Sequence, residues 1–121
     1  MSNPVEKKLY SAAKKGLVSV VSSLLRDHPD MVNWADDDQE TALHIASYEG
    51  HVEVVKLLLA HPAIGVNLKN VDGATPFSFA CEHGKVSVVR VMLKDPRVDV
   101  ALDDNRGRTP CGMLLVVETR P

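Results

Sequence analysis

The chain has 121 residues, of which 45% are hydrophobic and 25% charged, with a net charge of −2. That composition is ordinary for a folded domain, and the charge gives no basic excess for binding nucleic acid or an anionic membrane surface. Aromatic residues make up only 4%, which suits thin aliphatic layers better than one large core.

Taken from the N-terminus, residues 5–15 (VEKKLYSAAKK) place Val5, Leu9, Ala12 and Ala13 on one helical face. Gly16 follows as a stop, where a residue past the last turn often needs φ > 0. A second helix is predicted over residues 18–26, with Val18, Val21, Leu24 and Leu25 as its apolar side and His28-Pro29 as its end. Residues 30–34 read as extended, and residues 35–40 (ADDDQE) as a polar turn. Thr41 then stands as the N-cap of a helix that ends at Gly50. A fourth helix, over residues 52–60, turns Val55, Leu58 and Leu59 inward before His61-Pro62. A turn at residues 70–74 leads to Thr75-Pro76 and a helix stopped at Gly84, with Phe77, Phe79 and Ala80 as core positions. The next helix carries Val86, Val89, Met92 and Leu93 inward up to Asp95-Pro96. A last copy opens at residues 105–110 and then departs from the pattern.

These elements recur with a period of 34 residues. One shift superposes Ala12, Ala46 and Ala80; Gly16, Gly50 and Gly84; Val20, Val54 and Val88; Leu25, Leu59 and Leu93; and Thr41, Thr75 and Thr109. A period in this range marks a stacked array. Helices of about ten residues are marginal alone, so stability has to come from interfaces between neighbouring repeats. The lysine-rich first helix, with Lys7, Lys8, Lys14 and Lys15, reads as an N-terminal capping repeat.

The motifs resemble those of ankyrin repeats. Thr41-Ala-Leu-His44-Ile-Ala46, Gly50-His51, Val54-Val55, Leu57-Leu58-Leu59 and Val66-Asn67 stand in that family's order. So do Asp72-Gly73-Ala-Thr75-Pro76-Phe77, Ala80 and Gly84. The tetratricopeptide family shares the period but has no need of the Thr-Pro caps. The resemblance implies an all-α solenoid of stacked helix-turn-helix units with β-turn fingers, about three and a half repeats in one domain over residues 1–121. Its parts are an N-terminal capping repeat (1–35), a second repeat (36–69), a third (70–103) and a truncated fourth (104–121). Departures are Gln39 where Gly73 and Gly107 stand, Ser78 in place of the family's histidine, Gly65 in place of its aspartate, and Ala101 in place of Asn67's counterpart.

The function implied is protein binding without catalysis, through finger tips and the concave helix face. The alternative is a regulatory or structural ankyrin fragment of a larger multidomain protein whose activity lies elsewhere. Mapped onto this chain, the partner-binding positions are Asp37, Asp38, Glu40, Tyr48, Glu49, Val71, Asp72, Glu82, His83, Arg106 and Arg108. Tyr48 falls at a variable position and suits a binding anchor. The acidic cluster at residues 36–40 combines turn chemistry with the prospect of meeting a basic segment. Trp34 reads as packing in a finger stem. His44 and His51 match family positions that hydrogen-bond to turns and neighbouring repeats, and Asn67 is a position the family resemblance opens to hydroxylation.

No His/Cys set has zinc spacing, and no phosphate loop, catalytic triad or basic stripe is present, so no enzyme, metal or cofactor is expected. Cys81 and Cys111 read as buried small apolar groups, which points to a reducing, intracellular compartment, cytoplasmic or nuclear. The N-terminus lacks the apolar core of a signal peptide, and no apolar run approaches ~18 residues. An incomplete fourth repeat leaves its neighbour's face partly uncovered, which predicts weak self-association unless residues 113–117 fold back as a cap.

Overall fold

A computed structural model describes residues 4–100 of the chain. Six α-helices follow in three pairs: α1 (Pro4–Lys15) with α2 (Val18–Asp27), α3 (Ala42–Glu49) with α4 (Val52–Leu59), and α5 (Pro76–Glu82) with α6 (Val86–Leu93). A 3-10 turn, Pro29–Met31, follows α2. The observed bounds agree with the periodic pattern to within a residue or two. Arg106, Arg108, Cys111, the fourth repeat and the fold-back segment at 113–117 lie outside the described residues.

The first helices pack in a row, α1 on α3 and α3 on α5, and the second helices in another, α2 on α4 and α4 on α6. Residues one period apart are therefore neighbours in a layer, which is the arrangement of an all-α ankyrin solenoid. The shared core runs from Leu9, Ala13 and Val21 through Leu43, Val55 and Leu58 to Phe77, Val89 and Met92.

Local chemistry explains where the helices begin and stop. The Thr41 hydroxyl accepts the His44 N–H (3.3 Å), and the Thr41 N–H donates to His44 Nδ1 (3.1 Å). Thr75 and Ser78 form the same reciprocal pair, at 3.2 and 2.9 Å. Each box satisfies two donors at a helix start, and Pro76 occupies the first turn of α5, where its missing N–H costs nothing. Gly50 closes α3 at φ 80°. The second helices have no side-chain caps. Burial holds them instead: Val54, Val55 and Leu58 in α4, and Val88, Val89 and Met92 in α6.

Polar side chains fix the interval between repeats. Asn33 Nδ2 donates to the Ala63 carbonyl (2.8 Å), and its Oδ1 accepts the Gly65 N–H (2.7 Å). Asn67 repeats both bonds one period later, with the Arg97 carbonyl (2.9 Å) and the Asp99 N–H (2.8 Å). His51 Nε2 donates to the Lys14 carbonyl (2.8 Å). A methyl group on Gly16 would lie 2.7 Å from the same imidazole, so that glycine is required by the close approach as well as by its φ of 74°.

The N-terminal repeat was expected to leave one face in water. The lysines of α1 are exposed, but α2 also exposes Leu17, Val18 and Val20, and Val20 is 37% exposed where Val54 and Val88 are fully buried. This position packs on the preceding repeat, and the described residues hold none ahead of α2. Cys81 was expected to be buried and is half-buried instead.

Candidate partner-binding surface

Two hairpin fingers project ahead of α3 and α5, built on the same plan from different side chains. In the first, Asp36 Oδ1 accepts the N–H groups of Asp38 (3.0 Å) and Glu40 (2.9 Å). In the second, Asn70 Oδ1 accepts those of Asp72 and Ala74, both at 2.9 Å. Short polar side chains close such turns because they reach their own backbone two to four residues on. Gly73 takes φ 77° in the second finger, and Gln39 takes φ 62° in the first, the strained conformation expected for a non-glycine residue there.

The fingers are joined. The Val71 N–H donates to the Asp38 carbonyl (3.0 Å), and Asn70 Nδ2 donates to Glu40 Oε2 (3.3 Å). The Tyr10 phenol lies beside Glu40. Burial first, and then the neighbouring Asp36 and Asp38 carboxylates, push the Glu40 carboxyl above its usual range against the lowering effect of the Asn70 bond. Burial and the Glu40 charge likewise raise the Tyr10 phenol. Tyr10 meets Trp34 edge-on, with centroids 6.3 Å apart, so Trp34 packs in the stem as the sequence indicates.

Of the acidic cluster, Asp36 and Glu40 are half-buried and engaged within the fingers, whereas Asp37 and Asp38 are exposed at the tip. Asp72 is exposed at the second tip beside Val71, which is 49% exposed. Glu40 thus links the two fingers.

On the helix side, three rings come together. Tyr48 at the end of α3 is 41% exposed. It meets His83, just past α5, with centroids 4.4 Å apart, and Phe79 of α5 at 5.9 Å. Phe79 and His83 lie 6.2 Å apart. Tyr48 therefore both faces solvent and leans on the next repeat. Glu49 is half-buried, and Glu82 and His83 are exposed.

Phe79 was expected in the core and is half-buried in this patch instead. Its place four residues before His83 puts both on one face of the helix, a signal present in the sequence. Below the patch, buried His44 meets Phe79 edge-on at 5.5 Å. Its Nε2 donates to the Ala74 carbonyl at the base of the second finger (2.9 Å), so finger, buried imidazole and exposed rings form one connected set. Ser78 at the equivalent position keeps the local cap and also donates to the Thr75 carbonyl (2.8 Å).

Among the described residues, no group of three or more His, Cys, Asp or Glu side chains is placed to hold a metal ion. No helix there is long and apolar enough to cross a membrane. Hollows such as the one lined by Lys56, Leu59, Val91 and Arg97 lie open between α4 and α6, away from the rings and fingers.

Stacked helix hairpins with projecting turns and an open, ridged face define a repeat solenoid, a class that offers extended binding surface. Comparison specifies the family. A model described as ankyrin repeats (3 copies) matches residues 6–70, and one described as ankyrin repeats (many copies) matches residues 63–111. The chain belongs to the ankyrin-repeat family. A search among curated proteins finds no match. Ankyrin repeats are generally protein-interaction modules and typically non-catalytic.

Proposed function

We propose that this chain is a non-catalytic module that holds a partner protein across the finger tips and the exposed face of the first helices. The contact residues are Asp37, Asp38, Val71 and Asp72 on the fingers, and Tyr48, Phe79 and His83 on the helices. The observation that carries this reading is Tyr48, a large ring left 41% exposed yet steadied against two rings of the next repeat. A rigid, amphipathic anchor of that kind loses little freedom on binding.

The test places a photo-reactive phenylalanine analogue at position 48 or 71, and at exposed Arg26 or Lys94 as controls. Adducts to the partner are expected from 48 and 71 and not from the controls, and Tyr48→Ala or Asp38→Ala should weaken binding to that partner about tenfold, a loss of ~1.4 kcal/mol. Cross-links confined to the control positions, or binding unchanged in both variants, would remove this assignment.

A further inference from the structure

Sign of charge and aromatic geometry together narrow the kind of partner. The two fingers carry no lysine or arginine over residues 36–40 and 70–74. Neither do α3 (ALHIASYE) and α5 (PFSFACE). Exposed Asp37, Asp38 and Asp72 set the charge of the tips. Among the described residues, cationic side chains border this surface at Lys14 and Lys15 on one side, at Lys69 in a finger stem and at Lys85, whose stem lies against Gly50. An anionic segment would meet like charge at the tips, whereas a cationic one would be drawn in.

The Tyr48–Phe79–His83 cluster supplies a second attraction for a cation. Its rings meet edge to face, at 65° to 77°, and Tyr48 is the large hydrophobic ring of the three left 41% exposed. Aromatic faces attract cations, and a guanidinium, being planar and weakly hydrated, stacks on them better than an ammonium does.

From the cap at Thr41 to Tyr48 is about 10 Å of helix rise, roughly three residues of extended chain. We infer that the surface takes an extended, arginine-bearing segment of a partner protein, with one guanidinium on the Tyr48 ring cluster and a second cation three or more residues away facing Asp38 and Asp72. The inference rests on the binding-surface reading above and specifies its occupant.

The probe is an acetylated, amidated nonapeptide with arginine at every third position and glycine and serine between. It is titrated into the full chain while the amide resonances of residues 37–39, 48, 71–72, 79 and 83 are followed. A citrulline version keeps the shape without the charge, and a lysine version keeps the charge without the plane. Shifts at these residues are expected with arginine. Affinity should fall about tenfold or more with citrulline and a few-fold with lysine.

Tyr48→Ala should lose about tenfold while Tyr48→Phe, which keeps the ring, stays within about twofold. The Asp37→Asn, Asp38→Asn double variant should flatten the dependence on salt. Melting curves confirm that each variant is folded. Equal affinity for citrulline, indifference to Tyr48→Ala, or no shift at these residues up to millimolar peptide overturns the inference. An independently found partner that cross-links through residue 48 but ignores charge would sink the arginine site and leave the binding surface standing. Cross-links only from α2, α4 or α6 would sink both.

Discussion

Gln39 holds a left-handed conformation, φ 62°, at the turn position that Gly73 fills one period later at φ 77°. A side chain there costs about 1–2 kcal/mol, and glycine gives back part of the gain through the unfolded chain. Gln39→Gly is expected to stabilise the protein by about 0.5–1 kcal/mol in chemical denaturation.

His44 makes a second prediction at this scale. Its Nδ1 accepts the Thr41 N–H and its Nε2 donates to the Ala74 carbonyl, so the ring is used as a neutral tautomer. Burial holds its pKa below the ordinary imidazole range. The unfolded chain then takes up the proton more readily, near pH ~6.5. Stability from this residue is complete above that value and declines as pH falls below it. The melting temperature should drop between pH 7 and pH 5. His44→Ser, which mimics the cap at Ser78, should be less stable at pH 7 and show a shallower decline. A variant as steep as the native protein would contradict this.

At the scale of elements, the helix bounds were legible because caps and glycine stops recur in register. Thr41 and Thr75 make the reciprocal bonds their spacing indicates, and Gly50 has the φ its place requires. Links across the period were not legible. Nothing in the run ADDDQE shows that Glu40 is tied to Asn70 while Asp37 and Asp38 stay exposed, because the bonding partner lies on the neighbouring repeat. Phe79 was misplaced for a related reason. Its periodic counterpart Ile45 is 6% exposed, and the pattern alone does not tell that the larger ring emerges beside Tyr48.

Val20 shows the same limit, since its periodic equivalence with Val54 and Val88 hides that, among the described residues, only those two have a repeat behind them. Val20→Thr should therefore change stability by less than about 0.5 kcal/mol. Val54→Thr, which buries an unpartnered hydroxyl, should cost about 1–3 kcal/mol. Equal effects at the two positions, measured by urea unfolding, would mean that α2 is covered in solution.

For the molecule as a whole, stability is a sum of repeats and the interfaces between them. Leu58, fully buried in the central pair, contributes to both. Leu58→Ala is expected to cost about 2–5 kcal/mol. Because α4 packs on both α2 and α6, hydrogen exchange should rise in all three helices and not in α4 alone. Exchange confined to α4 would argue against nearest-neighbour coupling. The solenoid itself was readable from the period; of the candidate site, the exposure of Tyr48 was readable and its ring contacts with the next repeat were not.

The backbone bond from Val71 to Asp38 has a consequence for how association proceeds. Two loops anchored to each other, each also knotted by its own aspartate or asparagine, have already surrendered their freedom during folding. An incoming chain meets a template set in advance, so encounter should seldom be delayed by rearrangement and the lifetime of the complex should carry most of any difference between good and poor ligands.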